Sequence, residues 1–412
     1  MKSDLDQLMR NRDLDAVLVQ GKVLGNPPMV YVLDGAPLTR AVFIKKLNED
    51  PVLVVSPMER EEAARIGYDT VLTTRYRYSE LLREYPDDIV KASVVYYQRI
   101  FEDLGVTGRI GCYGYVDQGY AYRLLTALNA ETPEITLVGE IHQNLIREAR
   151  ATKGEEEVAR IRDVARRTID VVEKTVQFLQ SCEVGNDEVL RRSDGTILTV
   201  GGVHEQINYL IAANRLEDPE GFIFATGRDA GIPHSRGSRE KPMRLGESIV
   251  FDIFPREVGG GYFFDITRTF CLGYAPEAVR TLYDDTLACL TTMKERVKAG
   301  ELARRYQQMT CAFFEDRGYP TIGQNPKTVE GYVHGIGHGL GLEIHEAPSF
   351  QDAPINEAVL KPGHVFTIEP GLYFPDEGMG CRLEDVLWID QDGSVHNLTQ
   401  APYTLVIPME NQ

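Results

Sequence analysis

Residues 1 to about 145 alternate short apolar runs with stretches of helical period. The runs are "DAVLVQ" (15–20), "MVYVLDG" (29–35), "AVFIKK" (41–46), "PVLVVS" (51–56), "DTVLTT" (69–74) and "EITLVG" (134–139). Each is short, rich in β-branched residues and bounded by turn formers, which predicts strands. Between them, "EREEAARIG" (59–67), the stretch 80–105 and "GYAYRLLTALNAE" (119–131) carry the helical spacing. Strands interleaved with helices predict an α/β domain. No glycine-rich loop follows a strand there, so no nucleotide site is expected.

A long amphipathic helix follows at 153–180. Thr152 and Glu155 have capping-box spacing. Val158, Ile161, Ala165, Ile169, Val172, Val176 and Leu179 keep one apolar face. A boundary near 148–152 gives two domains, 1–148 and 149–412. Beyond it one order is written twice. Helices at 153–180 and 203–216 precede strands ending in "SIVFDIFPREVGGGYFFDITRTF" (248–270). Helices at 276–298, opened by Pro276, and at 302–317 precede strands ending in "HVFTIEPGLYFPDEGMGCRLEDVLWID" (364–390). The repetition predicts a pseudo-symmetric α+β domain.

Each repeat ends in a hairpin that carries two carboxylates within apolar strands. The first turns at "VGGG" (258–261), with Asp252 and Asp265 nearly symmetric about it. Cross-strand partners share a face, so the two should be neighbours. The second turns at 376–377, with Glu369 and Glu384 symmetric about it. One such pair fits the solvent face of a hairpin. Two pairs in equivalent places form a constellation. Four carboxylates in one pocket need counter-charge, which two divalent cations supply.

The chain carries 44 basic and 62 acidic residues, a net charge of −18. With no basic cluster, nucleic acid and anionic membranes are poor partners. Six widely spaced cysteines without a CxxC pair predict free thiols in a reducing compartment. "MKSDLDQLMRNRDLD" lacks the apolar core of a leader, so a cytoplasmic location is expected. Three of the eight histidines, His334, His338 and His345, fall in "HGIGHGLGLEIHE". The four-residue spacing of the first two imitates a helical metal pair, but Gly335, Gly337, Gly339 and Gly341 oppose a helix. This stretch offers a histidine as a fifth ligand. Oxygen donors with one nitrogen suit Mn²⁺ or Co²⁺, with Fe²⁺ and Zn²⁺ as the other options. A two-metal carboxylate site points to hydrolysis.

"FDITRTF", "GHGLGLEIHEAP", "TIEPGLYFP" and "CRLEDV" together resemble the signature segments of the pita-bread metallopeptidases, the family of prolidase, aminopeptidase P and methionine aminopeptidase. The likeness covers about 153–405. The first domain resembles the creatinase-type α/β domain of prolidase and aminopeptidase P, which methionine aminopeptidases lack. The resemblance implies a fold of that α/β domain followed by a pseudo-symmetric pita-bread catalytic domain. It implies metal ligands Asp252, Asp265, His338, Glu369 and Glu384, with Asp252 and Glu384 serving both ions. It implies a metal-bridging hydroxide whose proton Glu369 handles, and His345 steadying the tetrahedral intermediate. His334 then lies on the leaving side and His234 at the pocket mouth, while Tyr373 and Arg382 line or support the site. Thr267 resembles a partner that supports a ligand. The implied substrate is a peptide or dipeptide with proline second, and the implied assembly a homodimer. Two alternatives stay open: a creatinase-like hydrolase or lyase on a small non-peptide substrate, and a non-catalytic binding module.

Two departures from the family pattern stand out. Phe254 occupies the region of a usual glycine, and "REVGGG" lengthens the first hairpin. Among the remaining histidines, His364 reads as structural, and His142, His204 and His396 as surface residues.

Overall fold

The computed structural model describes residues 4–141 and 143–409; His142 lies outside them. Met1–Arg150 with Gly259–Gly261 make one compact unit, and Ala151–Val258 with Tyr262–Gln412 the other.

The first unit is built on a six-stranded sheet. Its order is Asp69–Leu72, Val52–Val55, Arg40–Lys46, Ala16–Lys22, Gly108–Tyr113, Ile135–Val138. Ala16–Lys22 pairs antiparallel with Arg40–Lys46 and parallel with Gly108–Tyr113. Helices Ile89–Leu104 and Gln118–Glu131 send Ala92, Ile100, Leu124 and Leu128 into its core. One expected strand is wrong. The run at 29–35 falls in a helix, Pro27–Val32, all of it buried. Pro27 is pre-set for a first helical turn, and a fully buried helix shows the same unbroken apolar run as a buried strand.

The second unit begins with the helix Glu155–Gln180. Its cap is Gly154, whose amide donates to Glu157 (2.7 Å), so the cap lies two residues beyond the expected Thr152. Helix Val200–Ala213 and strands Ile249–Ile253 and Ile266–Leu272 complete the first half. Helices Glu277–Arg296 and Arg304–Glu315, then strands Val365–Ile368 and Asp385–Ile389, make the second. Pro276 is the cap of its helix rather than its first residue. The first half's hairpin sits in a four-stranded sheet and the second half's in a five-stranded one. Leu282, Leu290, Phe314, Phe366, Ile368 and Leu387 pack in one core that ties the second half's helices to its hairpin. Each such side chain contributes about 1.5–3 kcal/mol on burial. No helix of the described residues is long and apolar enough to cross a membrane. All six cysteines are free thiols.

The registers decide where the carboxylates stand. In the second hairpin Ile368 pairs with Asp385 and Gly371 with Arg382. Glu369 and Glu384 face one another at the junction. In the first hairpin Asp252 pairs with Thr267 and Ile253 with Ile266. The register continues to a bridge between Arg256 and Phe263, which puts Asp265 across from Phe254. Asp252 and Asp265 are therefore diagonal neighbours on one face, as expected, with Thr267 as the residue directly opposite Asp252. The lengthened tip continues the ladder rather than bulging: the Glu257 amide donates to the Tyr262 carbonyl (3.1 Å).

Candidate metal centre

Apolar strands carry Asp252, Asp265 and Glu384 into the interior, where they are 8%, 4% and 1% exposed. Asp265, His338 and Glu384 each present a ligand-type atom, all within 4.8 Å of one another. His338 Nε2 lies 3.6 Å from Asp265 Oδ2 and 3.6 Å from Glu369 Oε1. Asp252 and Glu369 flank this triplet. Among the described residues, Asp252 Oδ1, Asp265 Oδ1 and Glu384 Oε1 are buried without a hydrogen-bond partner. Buried carboxylate oxygens are not left bare without cost. Converging bare oxygens beside an imidazole fit a hard divalent cation.

Electrostatics make the same point. Burial, then the charge of neighbouring Glu384, pushes Asp265 and Glu369 well above the carboxylate range. Burial and Asp252 raise Glu384 to about 8. The cluster is short of positive charge.

The supporting hydrogen bonds are specific. A carbonyl only accepts, so the contact of His338 Nδ1 with the Gly339 carbonyl (3.2 Å) puts the ring proton on Nδ1. Nε2 is then left as a lone-pair donor toward the carboxylates. Glycine is required where this segment meets the second hairpin, because a Cβ on Gly337 would stand 2.0 Å from the Thr367 carbonyl oxygen. Thr267 donates to Glu384 Oε2 (2.8 Å) and accepts from Arg382 Nε (3.3 Å). Arg382 Nη2 bonds Asp252, and its Nη1 reaches Tyr373 (2.7 Å) and the Pro233 carbonyl (3.1 Å). Since the Tyr373 oxygen accepts from Arg382, it donates its own proton to His334 Nε2 (2.8 Å). His334 Nδ1 in turn donates to the Gly335 carbonyl (2.7 Å). Both nitrogens of His334 are thus engaged, and burial and Arg382 push it down to about 3.

His345 is exposed, its ring centroid 4.3 Å from that of His338. Desolvation of its ring by the surrounding site lowers the His345 pKa, and burial lowers that of His338 to about 3. His234 is exposed as well, close enough for its charge to act on His334 and His345. Outside this neighbourhood, His364 is buried and His396 exposed. His204, expected at the surface, is instead buried, its Nε2 on the Phe224 carbonyl (3.2 Å) and its ring against Phe222.

Sequence reading missed one contact at this site. Lys153, only 2% exposed, forms an ion pair with Glu346, the neighbour of His345. A lysine just before an acidic helix start gives no local hint of a partner so far along the chain.

A model of metallopeptidase family M24 matches residues 159–391 of this chain. The chain belongs to that family. Relatives in the family include the Xaa-Pro dipeptidase of Pyrococcus horikoshii, 26% identical over 94% of this chain and 93% of that protein. The Xaa-Pro dipeptidase of Pyrococcus furiosus is 29% identical over 65% of this chain and 73% of that protein. Among solved structures, the prolidase of Pyrococcus horikoshii superposes with a TM-score of 0.72 at 23% identity, covering 97% of this chain and 98% of that one. The X-Pro aminopeptidase of Thermotoga maritima gives 0.73, with 21% identity over 97% of this chain and 99% of that one. These likenesses extend the shared fold over nearly the whole chain. As a family member the protein is a metal-dependent peptidase.

Proposed function

We propose that this chain is a two-metal exopeptidase that hydrolyses Xaa-Pro bonds. The observation that carries the reading is the cluster of Asp265, Glu384 and His338, with buried carboxylate oxygens left without hydrogen bonds, in a metallopeptidase fold. The dipeptidase and aminopeptidase names of the relatives supply the substrate class, and favour it over a creatinase-like or binding-only role. Asp252, Asp265, His338, Glu369 and Glu384 would hold two Mn²⁺ or Co²⁺ ions, with Fe²⁺ or Zn²⁺ as substitutes. Such ions supply a water of lowered pKa and polarise the scissile carbonyl.

The protein's own groups do the rest. Glu369, at the edge of the cluster with an 18% exposed side chain, takes the proton of the attacking water. His345 stabilises the developing oxyanion. His334, with both nitrogens engaged, holds Tyr373 and through it Arg382, which keeps Asp252 in place. His234 stands at the mouth for the incoming peptide. Proline's imide nitrogen carries no hydrogen to donate, so the pocket recognises shape rather than an amide. The resemblance also suggests a homodimer, which sedimentation equilibrium tests.

The deciding experiment loads the full chain with Mn²⁺ or Co²⁺ and compares Ala-Pro with Xaa-Pro-Yaa peptides. Cleavage of Ala-Pro alone marks a dipeptidase, and cleavage of the longer peptides an aminopeptidase. Cleavage of neither, with two ions bound, overturns the reading.

A further inference from the structure

Behind the carboxylates lies a second ionic cluster that the chemistry above leaves unused. Arg268 and Asp385 each follow a residue of the site, Thr267 and Glu384, so strand alternation turns them to the opposite face. Asp385 is fully buried, 0% exposed. It accepts from Arg268 Nη2 (3.1 Å) and Asn397 Nδ2 (2.8 Å), and also from Lys294 and the Tyr403 hydroxyl. Lys294 bonds the same hydroxyl (2.9 Å). A guanidinium has five N–H donors in a fixed plane, and all five of Arg268 are placed. Nη1 gives to the carbonyls of Thr267 (3.0 Å) and Glu384 (2.7 Å). Nη2 gives to Asp385 and the Ala401 carbonyl (2.9 Å), and Nε to the Pro402 carbonyl (3.1 Å). The plane lies over the Tyr403 ring, 4.6 Å from its centroid.

We propose that Arg268 and Asp385 are positioning residues that fix the separation of the Asp265–Thr267 strand from the Glu384 strand, and with it the spacing of the two metal ions. The inference rests on the two-metal reading. Arg268 comes from the first half-domain and Asp385 from the second, so the pair spans the seam across which the candidate ligands are divided. At that seam the Glu384 amide donates to the Thr267 carbonyl (3.1 Å). Arg268 Nη1 grips that same carbonyl and the carbonyl of Glu384, bracing the contact from behind. Charge alone does not account for the arrangement, since Lys294 already neutralises Asp385. What only an arginine supplies is a rigid fork that reaches both strands at once; a lysine has three donors on a flexible stem.

The test uses the Mn²⁺-loaded full chain, with Arg268→Lys, Asp385→Asn and Tyr403→Phe. Bound metal, the Mn²⁺–Mn²⁺ exchange coupling seen by electron paramagnetic resonance, melting temperature, kcat and KM are read together. Arg268→Lys is expected to weaken Mn²⁺ binding and lower kcat by about 10–100-fold, as loss of an outer support does, with altered coupling and little change in KM. Tyr403→Phe leaves the fork on both carbonyls and is expected to keep the wild-type coupling. Wild-type coupling, affinity and kcat in Arg268→Lys overturn the inference. If Arg268→Lys does not fold, Asp385→Asn, which keeps the side chain's shape, is judged by the same readings. A wild-type chain that binds fewer than two Mn²⁺ ions overturns the two-metal reading itself, a separate failure visible before any variant is made.

Discussion

Thr267 stands directly across the ladder from Asp252 and its hydroxyl donates to Glu384, so a side chain of the first hairpin holds a carboxylate of the second. It is fully buried, and its donor and acceptor roles are both used.

Thr267→Val keeps the volume and removes the hydroxyl. Metal affinity is expected to fall about 10–100-fold, while Thr267→Ser stays near wild type. Titration of the metal-free protein with Mn²⁺ decides it. Equal affinity in the valine variant would remove Thr267 from the ligand support.

The chelated protein should lose stability as pH rises. Glu384 moves from an ordinary 4.5 up to about 8, driven by burial and then Asp252. Asp265 and Glu369 move the same way. Below the ordinary values, 3.8 for Asp265 and 4.5 for the glutamates, these groups are mostly protonated folded or unfolded, so little is lost. Between 4.5 and 8 the unfolded chain releases protons that the folded chain keeps, and the folded state weakens. Calorimetry should show a lower Tm at pH 8 than at pH 5 without metal, and a larger rise on adding Mn²⁺ at pH 8. The same Tm gain from Mn²⁺ at both pH values would contradict the repulsion.

Lys153→Met removes the cation from a buried pair and leaves the Glu346 charge in place. The expected loss is about 3–5 kcal/mol by urea denaturation. Lys153→Met with Glu346→Gln should recover part of it. Because Glu346 adjoins His345, kcat should fall in the single variant even at temperatures where it remains folded. A double variant no more stable than the single one would show that the pair is not coupled.

Much of this site was legible because strand alternation is a local rule. Acidic residues inside apolar strands, twice over and each time symmetric about a turn, stand out without a structure. The glycines around His338 likewise announced an irregular backbone. Exact register was less legible: near-symmetry about 258–261 made Asp252 and Asp265 neighbours, but only the hydrogen-bond ladder shows Thr267 directly opposite Asp252. The helix at Pro27–Val32 escaped because complete burial erases periodicity. Lys153–Glu346 and Arg268–Asp385 escaped for a different reason. Each joins residues more than a hundred positions apart, and only tertiary folding brings them together.

The division of the carboxylates between two hairpins has a consequence for biosynthesis. A ribosome delivers Asp252 and Asp265 long before it delivers His338, Glu369 and Glu384. The emerging first half-domain therefore shows only a two-oxygen-bearing side-chain pair, a weak trap for any cation. On the proposed ligand set, an ion would find its full site only once the later hairpin has docked.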